Sequence, residues 1–362
     1  MKKLVYNIII TLFVIKITFL FLIFPTISSE KTYKAKDLSS YLSGVISLNE
    51  NDYERSYKFL KNVNGLEKDH YTFSQIYLYS LINFDKFTDA FRYARKLEQN
   101  QINNFESDLI VGIYHLKNKK PFLAKKYLLR NYQRKNLDPI QKLLSILILQ
   151  WSNFEDLNFK DSIAKLEKID VRFENIKKIQ KSFLNCYFDK SSTSEVFFDL
   201  VNDKSANFNR YNFFLANYLN NNDKIFEYEK VIEAALKKTP RNLLINQLKL
   251  DVERAENLKN KFDCKNNLHV MAELFYLVSN ALSSQRFYSV SNFYINLAKF
   301  LNPDFISYNI LFAENHNFIE KNEEAKKIYN KVKNYGDIYH WFANKEIANI
   351  YIINERQQEG VK

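Results

Sequence analysis

The sequence predicts an all-α protein, an α-solenoid of stacked helical hairpins, on three observations. The 362 residues are 46% hydrophobic and 16% aromatic yet hold only five Gly and five Pro, which excludes disordered and collagen-like chains and many-turned β folds. Beyond residue 32, apolar residues recur at helical spacing in segments of about 12 to 16, separated by short polar turns. One segment then returns at a fixed distance along the chain, so the length need not be divided among separate globular cores.

The N-terminus comes first. Met1-Lys2-Lys3 precedes an apolar run from Leu4 to Phe24, and Pro25-Thr26-Ile27-Ser28-Ser29 follows it. A basic start, an apolar middle and small residues at a break are the order of a secretory signal, with cleavage after Ser28 or Ser29. The run is also close to the ~20 residues that span a bilayer, so residues 1–29 are read as a signal peptide or an N-terminal membrane anchor. Lys16 in its middle would be costly in a permanent span. Either way the chain is expected to be exported to a bacterial periplasm, with anchoring to the inner membrane by residues 4–24 as the variant. No Cys follows the apolar run, so a lipid-anchored lipoprotein is not indicated.

The repeat begins at Asn51–Leu60 (NDYERSYKFL), returns at Asp85–Ala94 (DKFTDAFRYA) and again at Lys119–Leu128 (KKPFLAKKYL). Ser56, Ala90 and Ala124 are each 34 residues apart, and they mark the second helix of each hairpin. Two small residues twelve apart let the helices of a hairpin approach closely: Gly44 with Ser56, Gly112 with Ala124, Ala313 with Ala325. Pro240 and Pro303 each fall twelve residues after a second-helix mark, where a fixed φ and a missing N–H stop one helix and begin a turn. In the same register, further second helices open near Ser162, Val196, Tyr228, Ser291 and Ala325, and a last would open near Gly360. The gap from Tyr228 to Ser291 is occupied by Arg241–Lys261, read as one long helix outside the motif. The expected organisation is therefore an N-terminal array over 33–240, a long connecting helix over 241–263 and a C-terminal array over 264–362.

This period, the small-residue pairs and the closing Pro resemble the tetratricopeptide repeat (TPR) family, over about 90% of the chain. The first-helix Trp, Leu and Tyr of that family are mostly replaced, and the weak central copies fit Sel1-like or other α-solenoid repeats as well. The resemblance implies a right-handed superhelix whose first helices line a concave groove, a non-enzymatic interaction scaffold or adaptor, and proteins or peptides as partners. Carried onto this register, the groove candidates are Tyr79, Asn83, Ile113, Lys117, Trp151, Glu155, Asn217, Asn221, Asn280 and Glu314. Amides such as Asn217 and Asn221 suit a peptide backbone, and Tyr79 and Trp151 suit apolar anchors.

Catalytic signatures are missing from the sequence. The five glycines are too scattered for a Walker loop, a dinucleotide fingerprint or a nucleophile elbow. His269 and Glu273 lie one helical turn apart but have no third ligand nearby, so neither a metal nor a cofactor is expected. Cys186 and Cys264, 78 residues apart, form no CxxC, and their pairing is open.

The net charge of +12 and pI near 9.2 point to acidic partners in principle, although the Lys, Asn, Ile, Phe and Tyr bias of the whole chain weakens that signal. It is sharpest at Lys117, Lys119, Lys120, Lys125, Lys126, Arg130, Arg134 and Lys135, a run between Asp108 and Asp138 that contains no acid. This basic patch gives the alternative function, an adaptor for anionic lipid or polysaccharide. Nucleic acid, with Phe122, Tyr127 and Tyr132 as stacking platforms, is disfavoured by the export signal.

Overall fold

The structure, a computed structural model, describes residues 34–63, 65–152 and 158–353. The expected signal or anchor and Glu155 lie outside them. Residues 1–39 and 40–362 form two units. Helix α1 (Ala35–Asn49) begins in the first unit, and every later helix lies in the second.

Among the described residues the secondary structure is helical, with no strand. After α1 come α2 (Tyr53–Leu60) and a single turn, α3 (Leu66–Asp69). Three hairpins follow: α4 (Tyr71–Asn83) with α5 (Phe87–Gln99), α6 (Phe105–Lys117) with α7 (Pro121–Gln133), and α8 (Pro139–Ser152) with α9 (Phe159–Leu166). Next are α10 (Glu174–Tyr187) with α11 (Thr193–Asn202), and α12 (Tyr211–Asn221) with α13 (Ile225–Lys238). Helix α14 (Leu243–Glu253) stands between these and the hairpins α15 (Asn267–Ser284) with α16 (Tyr288–Leu301) and α17 (Ser307–Phe318) with α18 (Asn322–Val332). Helix α19 (Asp337–Ile353) is the last. None of these is long and apolar enough to cross a membrane.

Each of the eight second-helix marks within the described residues, from Ser56 to Ala325, is the fourth residue of its helix. Where the mark is a small residue, the reason is close approach. A Cβ on Gly44 would lie 2.5 Å from the Leu60 side chain, and one on Gly112 would lie 2.5 Å from that of Leu128. The Ser56 hydroxyl donates to the Gly44 carbonyl at 2.9 Å. A fourth pair with the same twelve-residue spacing, Ser279 and Ser291, exchanges hydroxyl-to-carbonyl hydrogen bonds of 2.8 Å in both directions.

The hairpin turns share one cap. At Asn51, Asp85, Lys119, Asp189, Asp223, Arg286 and Glu320 the backbone turns left-handed, with φ between 47° and 66°. The residue after each donates its N–H to the carbonyl five positions back, as Lys86 does to Leu81 at 2.8 Å and Lys120 to His115 at 2.9 Å. This is the Schellman arrangement, normally built on glycine. Here it is built on polar and charged residues, which is how a chain with five glycines makes so many turns. Ala255, φ 52°, occupies the same conformation after α14, and its Cβ opposes that conformation. Ala255→Gly is expected to raise stability by about 1 kcal/mol, read as a higher urea midpoint at unchanged m-value.

The long helix expected over 241–261 ends at Glu253. The Asp251 carboxylate accepts from the Gln247 amide at 2.7 Å and turns the chain back by accepting the Lys259 N–H at 2.8 Å. Residues 254–266 then run as a strap. Asn260 donates to the Tyr339 hydroxyl of α19 at 2.7 Å, Phe262 enters the core, its carbonyl accepts from Asn217 of α12 at 2.9 Å, and Cys264 is disulfide-bonded to Cys186 of α10. The arrays on either side of the strap share one apolar core, continuous from Leu78 to Leu311, with a second cluster joining α14 and α17 to α19.

Candidate partner-binding site

Helices α4, α6 and α8 are first helices, and they carry the candidates Tyr79, Asn83, Ile113, Lys117 and Trp151. The α15–α16 hairpin of the same chain packs on this row, α16 against α4 and α15 against α8. The Asn83 amide donates to the Ser289 carbonyl at 3.0 Å, and the Tyr79 ring lies on Phe293 with centroids 4.6 Å apart. Phe87, opening α5, stacks on Phe300 at 4.2 Å and 9°. The Lys117 ammonium, lowered by burial, donates at 3.0 Å to the carbonyl of Leu301, where it meets the negative end of α16. Trp151 is fully buried, its indole N–H held by Gln180 at 2.7 Å and its carbonyl by Asn267 at 2.8 Å. Ile113 is core. In this part of the row the groove is filled from within the chain.

What lets α16 fill it is composition: Tyr288–Leu301 carries a single charge, Lys299, and every residue from Ser291 to Ala298 is buried. A helix buried on all sides must be apolar or amide-lined on all sides. Asn292 donates to Tyr53 at 2.6 Å and accepts from Asn315 at 2.7 Å, so its amide is paired where water cannot reach.

A buried ion pair fastens the hairpin to α12. Arg210 makes two parallel hydrogen bonds to the Glu273 carboxylate, 2.7 and 2.8 Å, a third to Ser307 at 2.8 Å, and stacks on Tyr276 at 3.7 Å. Burial opposes the Arg210 charge, but Glu273 overrides it and holds the guanidinium protonated. Glu273 is therefore an ion-pair partner, while the His269 ring accepts from the Asp263 N–H at 3.0 Å. No group of three metal-ligating side chains occurs among the described residues.

Beyond α15 the first-helix row opens. A cavity of about 430 Å³ lies between α12, α14, α15, α17 and α19, all of them outside the second-helix set. It holds two sequence candidates, Asn280 at its rim and Glu314 within. Asn209, Asn242 and Tyr276 also line it and were not singled out from the sequence. Tyr276 sits one turn before Asn280, the same offset as Tyr79 and Asn83, and that spacing could have found it. Burial, and then Glu346 on α19, push the Glu314 carboxyl up to about 7. Its folded pKa is thus raised, and the stability it lends below the ordinary carboxylate range is lost as pH rises through 7. Glu314→Gln should be neutral at pH 4 and stabilising by about 2 kcal/mol at pH 8, after discounting for the open cavity, in paired denaturant titrations. The remaining candidates lie apart. Asn221 is exposed and, with buried Asn217, borders a smaller cavity of about 270 Å³ beside the disulfide.

The basic run is not free of acids in space. Glu98 of α5 accepts from Lys126 at 3.1 Å and Arg130 at 3.2 Å, and Asp108, almost fully buried, pairs with Arg130 and, at 2.6 Å, with Arg134. Those three cations hold hairpins together. Lys119, Lys120 and Lys135 stay exposed, as do Lys125 and the Phe122 ring.

No protein-family model matches the chain, and no curated protein is similar to it in sequence. Solved structures similar to it include yeast Tom70 (TM-score 0.28, covering 90% of this chain and 83% of that one) and the TPR domain of P58(IPK) (0.26, 90% and 91%). Another is Naa15/Naa10 bound to HypK-THB (0.23, 90% and 67%), and identity is 12% in all three. Nothing about ligands follows from likeness of that degree, and the fold rests on the helices and turns themselves.

Proposed function

We propose that the chain is a non-enzymatic interaction scaffold of the bacterial cell envelope, which takes an extended protein segment along the open part of its first-helix row. The observation that carries this reading is the cavity between α12, α14, α15, α17 and α19, at a row that is filled elsewhere by the chain's own α16. Export is supported by the basic, apolar and small-residue order of residues 1–29 and by the Cys186–Cys264 disulfide, a bond that persists in oxidising compartments. The residual basic face is a weaker basis for an anionic surface, because Glu98 and Asp108 take up three of its cations.

The test is site-specific photo-crosslinking in cells, with a photoreactive residue placed at Asn280 or, on the outward face, at Phe198. The expected result is an envelope-fraction protein captured from position 280 and not from 198. Capture from 198 alone, or recovery of the chain in the cytosol with free thiols, would overturn it.

A further inference from the structure

We propose that this cavity is a subsite for a cationic side chain, lysine or arginine, of the extended segment that the scaffold holds. The inference rests on the peptide-binding reading above and adds the residue type it selects.

The fold withdraws several carboxylates from water and gives nearly all of them a partner. Glu67 is paired with Lys96 at 2.9 Å, Asp108 with Arg130 and Arg134, and Glu273 with Arg210. Glu106 accepts from Gln75 at 2.8 Å and Gln141 at 3.2 Å, and Asp251 accepts from Gln247 and the Lys259 N–H. Glu314 has no hydrogen-bond donor and no ion-pair partner among the described residues, although most of its surface is covered. A carboxylate so placed is destabilising until a cation meets it. Its titratable neighbours increase the demand: Glu346 on α19 adds negative potential, and Tyr276 on α15 and Tyr329 on α18 are neutral phenols.

Among the described residues, the one basic residue lining the cavity does not compete. Arg210 is fixed by Glu273, by Ser307 and by the Tyr276 ring. Leu277, Ile310 and Leu311 supply an apolar wall for the methylene stem of a long cation. An amide serves the peptide backbone: the exposed Asn280 stands at the mouth. An amide at the rim and one unmet carboxylate within suit a peptide carrying a basic residue, and the negative charge rejects an acidic one.

The experiment selects random 12-residue displayed peptides on the full chain at pH 7.5, with wild type and Glu314→Gln in parallel. Wild type should enrich Lys or Arg at one register position about tenfold over input, the value of one charge-assisted hydrogen bond. Glu314→Gln should still select peptides but lose that enrichment. Its thermal midpoint, expected at or above that of wild type, shows that it folds. Peptides with no basic position, or a basic preference unchanged by Glu314→Gln, overturn the subsite and leave peptide binding standing. Failure to enrich any peptide overturns the peptide-binding reading as well.

Discussion

Glu273→Ala lowers stability by about 3–5 kcal/mol, because it strands the Arg210 guanidinium in the core with its strongest partner gone. The Glu273 side chain is 0% exposed, and Arg210 reaches it from the turn before α12, sixty-three residues away. The Arg210 side chain is itself only 15% exposed, so most of the desolvation of its charge is left uncompensated when the carboxylate goes. The companion variant Arg210→Met with Glu273→Leu should cost far less, since it removes both charges and keeps their volume. Urea titration of the two variants beside wild type separates the readings. A loss under ~1 kcal/mol for Glu273→Ala would mean that the pair is hydrated and does not fasten α15 to α12.

Removing the disulfide, by Cys186→Ser with Cys264→Ser, should cost about 4.5 kcal/mol, the loop-closure value for a sequence separation of 78. The bond holds the 254–266 strap against α10, with the Lys265–Asp189 pair beside it at 2.8 Å. Reductant should therefore lower the wild-type midpoint to that of the double variant and leave the variant unmoved. Equal midpoints for wild type with and without reductant would contradict the role given to the strap.

The hairpin architecture was legible because close approach restricts residue type. Gly44, Ser56, Ala90 and Ala124 are small for a reason that acts within one hairpin, so the reason shows as a 34-residue period. Turn chemistry was not legible in the same way: with Lys119, Arg286 and Glu320 in left-handed positions, no glycine announces the cap. The strap hid for a different reason. Arg241–Lys261 has helical composition, and it is the Asp251 carboxylate capturing the Lys259 N–H, with Asn260 held by distant Tyr339, that turns the chain back after Glu253.

The site was half legible. The first-helix register located Asn280 and Glu314, which line the open cavity, with the same rule that selected Tyr79, Asn83 and Lys117, which α16 covers. Nothing near those residues could distinguish the two groups, because the covering contacts span about two hundred positions, as from Asn83 to Ser289 or Lys117 to Leu301. The signal was in α16 itself, whose single charge in fourteen residues belongs to a helix without a solvent face. The basic run misled for a related reason, since its acids Glu98 and Asp108 precede it in sequence and meet it only across the hairpins.

The most direct test of the filled groove is a double-mutant cycle on Phe87 and Phe300, which are 213 residues apart in sequence and stacked at 4.2 Å. Phe87→Leu, Phe300→Leu and the double variant, each measured by urea unfolding, should give a coupling energy of about 1 kcal/mol, the range of a stacked aromatic pair. Additive losses, with coupling under ~0.3 kcal/mol, would contradict the packing of α16 on the α4–α5 hairpin.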